Sequence, residues 1–197
     1  MKYKNYTPDI YIADTTRNLR FALGNKGQKP LICIGINPNK ANNEVSDSTM
    51  NGLVELCQEK GYDSCIMLNP YPLICADPAS LPPIFDKEIS AENNLVVKEF
   101  FETYSGCDVL VMWGDFITKN YDFMKNVISI LDAGIDNKMC FKCLRKLSRS
   151  GNPYHLQYIL RSYNTDHKNG KMTQKYELID FDATKYLHVL LEKASQL

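Results

Sequence analysis

The sequence predicts one α/β domain spanning residues 1–197 and built on a parallel sheet. Two observations predict it. Short apolar runs alternate with amphipathic stretches, which is the pattern of βα units. The first three runs each stop at a polar or distinctive signature, and in open parallel sheets ligands bind beyond the carboxyl ends of the strands. No repeat and no low-complexity linker divides the chain, and its length suits one sizeable core.

The elements follow in order. The first twenty-five residues are expected to give one covering helix near Thr15 to Leu23. The first clear strand is PLICIGINP, from Pro30 to about Asn37. A helix should follow over Ser48 to Lys60. Asp47 or Ser48 can cap it, because a short side-chain oxygen accepts a free first-turn N–H. Met50, Leu53, Val54 and Cys57 then form one stripe, and Gly61 is the stop. The second strand, SCIMLN, ends at Asn69, and prolines at 70, 72, 78, 82 and 83 make the next twenty residues a loop. A second helix is expected from Ala91 to Tyr104, with Leu95, Val96, Phe100 and Tyr104 inward. DVLVMWG, from Asp108 to Gly114, is the third strand. A third helix runs from Ile117 to Leu131, a fourth strand starts near Met139, and the tail reads as a strand, KYELIDF, then a helix from Ala183 to Ala194.

Composition excludes some classes. There is no run of 18 apolar residues, so no membrane span is expected. The start, MKYKNYTPDI, lacks an apolar stretch behind a basic one and does not read as a secretory signal. Seven scattered cysteines in apolar runs read as reduced core thiols and a cytoplasmic setting. Formal net charge is zero, yet Lys138 to Tyr176 holds nine Lys or Arg against one acid, Asp166. Such asymmetry suits an anionic partner, or simply a solvated basic face.

The polar residues fall at the strand ends: Gly35-Ile36-Asn37-Pro38, Leu68-Asn69-Pro70, Trp113-Gly114-Asp115, and, after the fourth strand, Ser150 to His155. In a parallel sheet these ends converge. Asparagine offers both a donor and an acceptor to a nucleobase or amide edge. Histidine can donate to developing negative charge or transfer a proton. Taken singly, each Asn-Pro is an ordinary turn, Trp113 is core packing and His155 is a loop histidine; the case rests on the convergence. His167 and His188 are assigned to a basic loop and a helix face. Cys140 and Cys143 form a single CxxC whose strand setting sends the two side chains to opposite faces, so no metal site is expected. No Walker-type loop and no GxGxxG is present, and no cofactor is expected.

The motifs Asn37-Pro38-Asn39-Lys40-Ala41, Asp47-Ser48-Thr49, Asn69, Trp113-Gly114 and Gly151-Asn152-Pro153-Tyr154-His155-Leu156-Gln157-Tyr158 resemble, in order, those of a bacterial family known only as domain of unknown function 1643. The likeness covers roughly residues 17 to 160. It departs at Asn39, where Ser is usual, and at Leu156-Gln157, where Pro-Leu is usual. The order of motifs is also similar to the uracil-DNA glycosylase superfamily. Gly35-Ile36-Asn37-Pro38 looks like its first motif, nearest the mismatch-specific branch that reads G-I-N-P-G. Asn69 looks like its base-reading asparagine and Val111-Met112-Trp113-Gly114 like its L-L-W-G strand. Tyr154-His155-Leu156 stands where that superfamily has His-Pro-Ser. This resemblance implies a three-layer α/β/α fold with a central, mostly parallel four-stranded sheet, to which the C-terminal strand and helix are extra. In the strongest glycosylases the first motif carries Asp; Asn37 is neutral and can only orient water, so a weak enzyme is implied.

Three functional readings stay open. In the first, the protein is a nucleobase N-glycosidase or related hydrolase acting on nucleic acid or a nucleotide. Asn37 positions water, Asn69 reads the base, and His155 donates to the departing base. Asp47, whose ordinary reading is a helix cap, supplies the missing general base. Gly35, Pro38, Asn39, Trp113, Gly114, Asn152 and Tyr154 complete the ligand contacts, and Lys142, Arg145, Lys146 and Arg149 hold phosphates. A base inside duplex would have to flip out. In the second reading the same pocket only binds a base, nucleotide or nucleic acid. In the third the polar turns are structural parts of a protein-interaction domain, and Asn37, Asn69 and His155 do not line one pocket.

Overall fold

The computed structural model describes residues 1–3, 6–168 and 174–196, the side chains of 167 and 168 excepted. Among them are seven strands and five helices: β1 Ile10–Asp14, β2 Leu19–Gly24, β3 Pro30–Ile34, α1 Ser48–Lys60, β4 Ser64–Leu68, α2 Lys87–Thr103, β5 Asp108–Val111, α3 Tyr121–Asp136, β6 Cys140–Leu144, α4 Leu156–Lys168, β7 Leu178–Asp180 and α5 Ala183–Ala194. The strands form one sheet in the order β1-β2-β4-β3-β5-β6-β7. The neighbours from β4 to β6 pair in parallel. The outer pairings, β1 with β2, β2 with β4 and β6 with β7, are antiparallel. The sheet is therefore mixed, not mostly parallel, and has seven strands among the described residues where four and one extra C-terminal strand were expected.

Period-two alternation sends successive strand residues to opposite faces, and both faces are covered. Leu31, Cys33, Cys65, Met67 and Leu110 pack with Met50, Leu53 and Leu56 of α1 and Leu156 and Ile159 of α4. Ile32, Ile34, Ile66, Leu68, Val109 and Val111 pack with Val97 and Phe101 of α2, Val127 and Ile130 of α3, and Leu190 of α5. This double burial is why the central strands read as continuous apolar runs.

Helix α1 has the expected bounds. Asp47 accepts the N–H groups of Thr49 and Met50, Gly61 closes the helix at φ 74°, and Met50, Leu53, Val54 and Cys57 are buried. Helix α5 also has its expected bounds. Several expectations are corrected. The N-terminal segment is an antiparallel hairpin, not a covering helix. Its turn is held by the Asp14 carboxylate, which accepts the Thr16 and Arg17 N–H groups and the Thr16 hydroxyl. Helix α2 starts four residues early at an Asp86 cap. It turns Asn93, Val97 and Phe101 inward and leaves Leu95 63% exposed. The third helix is split into a 3-10 turn, Asp115–Lys119, and α3, because the Asn120 side chain accepts the Phe123 N–H and restarts the helix. Helix α4 was not anticipated; the backbone of His167 belongs to it rather than to a loop, and that side chain lies outside the described residues. Strand β7 is only Leu178–Asp180. The basic run from Lys138 to Tyr176 lies partly outside the described residues. Cys33, Cys57, Cys65 and Cys143 are core thiols, whereas Cys140 is exposed. No helix among the described residues is long and apolar enough to cross a membrane.

Candidate functional site

The parallel register aligns the carboxyl ends. Ile34 of β3 stands opposite Leu68 of β4 and Val111 of β5. The polar residues that follow these strands therefore emerge together. The ladder continues past the strands: Gly35 N–H donates to Leu68 O, Met112 N–H to Ile34 O, and Gly114 N–H to Pro153 O. The last of these ties the β5 end to the loop after β6. At this end lies a cavity of about 490 Å³ whose lining includes Asn37, Asn39, Asp47, Trp113, Gly114 and His155. That volume suits a small organic ligand, for which pockets run from about 300 to 1,000 Å³.

His155 stands immediately before α4. Its Nδ1 accepts the backbone N–H of Gln157 at 3.3 Å, so the ring caps the helix. A neutral ring accepting at Nδ1 carries its proton on Nε2. Burial holds the imidazole below the ordinary histidine range; the charge of Asp47 opposes that shift and the charge of Arg161 adds to it. His155 is thus a neutral N–H donor at neutral pH, a form that can polarise a carbonyl without first losing a proton.

Asp47 is 6% exposed, and both N–H bonds of its cap go to Oδ1, at 2.9 Å each. Among the described residues nothing donates to Oδ2, so the cap leaves one carboxylate oxygen for chemistry. Asn37 donates its amide N–H groups to Pro38 O at 3.0 Å and Cys75 O at 2.7 Å. With both donors engaged, Asn37 has only its carbonyl oxygen to offer the cavity. Trp113 is the cavity's largest apolar wall. It is held by a chain of hydrogen bonds: Trp113 Nε1–H to Tyr186 Oη, Tyr186 O–H to Asn152 Oδ1, and Asn152 Nδ2–H to Asp115 Oδ1. Gly114 has φ 70° and ψ −172°, a conformation that essentially only glycine adopts, and it lets the chain pass beside His155.

Other expected site residues stand elsewhere. Asn69 is buried and does not line the cavity. Its backbone carbonyl accepts Asn93 Nδ2–H at 2.8 Å, while Pro70 O accepts Asn126 Nδ2–H at 2.9 Å, so two helices clamp the β4 end. Gly35 lies against it: a Cβ there would meet Met67 Cε at 2.4 Å and Asn69 Nδ2 at 2.8 Å. Pro38 serves through its carbonyl, and Asn152 through the Trp113 network. Tyr154 stacks on Tyr158, which lines the cavity, with centroids 4.6 Å apart. Lys142 pairs with Asp180 on β7. Arg145 and Lys146 line a separate cavity with Tyr154 and Tyr158, and Arg149 is exposed outside both. Among the described residues no three His, Cys, Asp or Glu side chains could share a metal ion.

Sequence reasoning missed Arg20 and Arg161, both of which line the cavity. Arg20, on β2, is 2% exposed. Burial pulls its guanidinium below the ordinary arginine range, while Asp47, Tyr3 and Tyr11 act the other way. Nothing local marks it among 23 basic residues, because only the reversed direction of β2 brings it to this end of the sheet. Arg161 had a signal: the spacing of Leu156, Ile159 and Leu160 is helical and would have put it less than two turns beyond His155.

A family model described as Protein of unknown function (DUF1643) matches residues 20–155, about two thirds of the chain. The match opens at Arg20 and closes at His155. No curated protein and no solved structure matches the chain.

Proposed function

The chain belongs to the DUF1643 family, and from that premise we propose that its cavity is the active site of an N-glycosidase-type hydrolase acting on a nucleobase carried by a nucleotide or nucleic acid. One observation carries the reading: Asp47, Asn37 and His155, each with a polar atom its own hydrogen bonds leave over, line a single cavity with Trp113. In the reaction, Asn37 Oδ1 orients a water and Asp47 Oδ2 takes its proton. The water oxygen bonds to the anomeric carbon as the C–N bond breaks. The bonding pair leaves with the base, and His155 Nε2–H donates to the base oxygen on which charge accumulates. Asn69, behind the wall, acts on the shape of the β4 end rather than on the base. Asn39 and Gln157, which line the cavity, take up base reading.

A second reading, a non-catalytic binding module, is favoured by one observation: Asp47 already serves as the α1 cap. The test is base release from single- and double-stranded oligonucleotides containing uracil, hypoxanthine or mismatches, and from free nucleotides. Wild type should release base, and Asp47→Asn and His155→Ala should not. Saturable binding without release from any substrate would replace the enzyme by the binding module.

A further inference from the structure

The cavity contains a positive charge that no described residue neutralises at contact distance. Arg20 is 2% exposed. Nη1–H donates to Ala41 O at 2.7 Å, Nη2–H to Asn69 Oδ1 at 3.5 Å, and Nε is buried with no acceptor among the described residues. Among the described residues no carboxylate lies within 4.0 Å of it. Asp47, whose charge acts on Arg20 from beyond contact, spends Oδ1 on the α1 cap. A buried guanidinium without an anionic partner is costly, and the usual resolution is a charge brought close to it. Arg161 lines the same cavity from the exposed side of α4, also without an ion pair among the described residues. Ser48 and Thr49 line it too; their hydroxyls can donate to an anion, while the Thr49 and Met50 N–H groups stay with Asp47. Asp115, the cavity's other carboxylate, is turned toward Ser148 and Asn152.

We propose that Arg20, Arg161 and the hydroxyls of Ser48 and Thr49 form a phosphate subsite, and that the substrate is a small nucleoside-monophosphate-like molecule rather than a base within a polynucleotide. This rests on reading the cavity as a nucleobase site. The choice of a terminal phosphate follows from the burial of Arg20: a recessed guanidinium can receive the end of a ligand, whereas a phosphodiester needs room for chain on both sides. Two arginine forks on one phosphate supply directional, charge-assisted bonds that a neutral nucleoside cannot make.

The experiment is a binding titration followed by Trp113 fluorescence, the only tryptophan, together with thermal unfolding of the full chain. The probes are inorganic phosphate, nucleoside 5′-monophosphates, the matching nucleosides, and oligonucleotides of the same bases. We expect a monophosphate to bind at least tenfold more tightly than its nucleoside and more tightly than the oligonucleotide, with inorganic phosphate competing. R161Q, on an exposed position, should keep the ligand-free melting temperature and lose most of that preference. R20M should abolish it, and its ligand-free melting temperature is read alongside, because the variant removes a buried charge and also takes the donor from Ala41 O and Asn69 Oδ1. Equal binding of nucleoside and monophosphate, an oligonucleotide that binds best, or a preference that survives R161Q would each overturn the proposal. If R20M does not fold, R161Q and the monophosphate-to-nucleoside ratio decide the matter alone. Base release is scored separately. A phosphate preference without release removes the glycosidase and keeps the subsite; release with no phosphate preference does the reverse.

Discussion

Asp47 carries two duties on two oxygens, and substitution can separate them. Asp47→Ala removes the acceptor for Thr49 N–H and Met50 N–H, the second of which is buried. Loss of an N-cap costs about 1 kcal/mol, with a range up to about 2. A buried N–H left without a partner puts this site at the upper end, about 2 kcal/mol. For a domain of this size each kcal/mol moves the melting temperature by about 2–4 °C, so Asp47→Ala should melt about 4–8 °C lower. Asparagine caps helices nearly as well as aspartate. Asp47→Asn therefore loses only the charge at the helix start, about 0.3–1 kcal/mol, or about 1–4 °C. It cannot accept a proton from water, so base release should vanish in both variants. Circular dichroism melts and a base-release assay read the two duties independently. A loss under ~1 °C for Asp47→Ala would refute the capping argument. An Asp47→Asn enzyme that still turns over would refute the general-base assignment.

Two further outcomes follow from the cavity's supports. His155 has a lowered affinity for protons in the folded protein, so below its ordinary value of about 6.5 the unfolded chain binds a proton that the folded chain refuses. Stability attributable to this group is intact above that pH and falls as pH drops toward the folded-state value; His155→Gln should show a shallower loss of melting temperature between pH 7.5 and 5.5 than wild type, and parallel curves would contradict the assignment. Tyr186→Phe strips a partner from both Trp113 Nε1–H and Asn152 Oδ1. The two orphaned groups should cost about 2 kcal/mol or more, seen in urea unfolding with an unchanged m-value; an unaltered midpoint would show that the network does not hold the Trp113 wall.

How far the sequence could be read depended on whether the information was local. Helix α1 was legible to the residue because its cap, stripe and glycine stop lie within fifteen positions. The convergence of Asn37, Trp113 and His155 was legible because a parallel register forces strand ends together. The N-terminal hairpin was not, because β2 is buried on both faces and carries an arginine inside an apolar run, which blurs the period-two signal. The turn Asp14-Thr15-Thr16-Arg17-Asn18 was the clue that could have found it, since Asn18 takes φ 57° there. Helix α4 was hidden by treating Leu156 to Tyr158 as part of a loop motif. Asn69 shows a different limit: sequence placed it at the right end of the right strand, but its side chain lies against Gly35 and Arg20, which are distant in the chain.

The sheet also gives the molecule two unlike poles. The pocket occupies the one where the central strands finish. At the other, Leu31, Cys65, Asp108 and Cys140 stand in register where those strands begin. The thiols divide along the same axis: Cys140 is exposed at the starting pole, while Cys75 lines the cavity. One reagent can thus serve opposite purposes. A dye or a surface tether on Cys140 leaves the cavity mouth free, and a bulky adduct on Cys75 fills it, so mapping which thiol reacts first tells an experimenter whether a labelled preparation still has an open site.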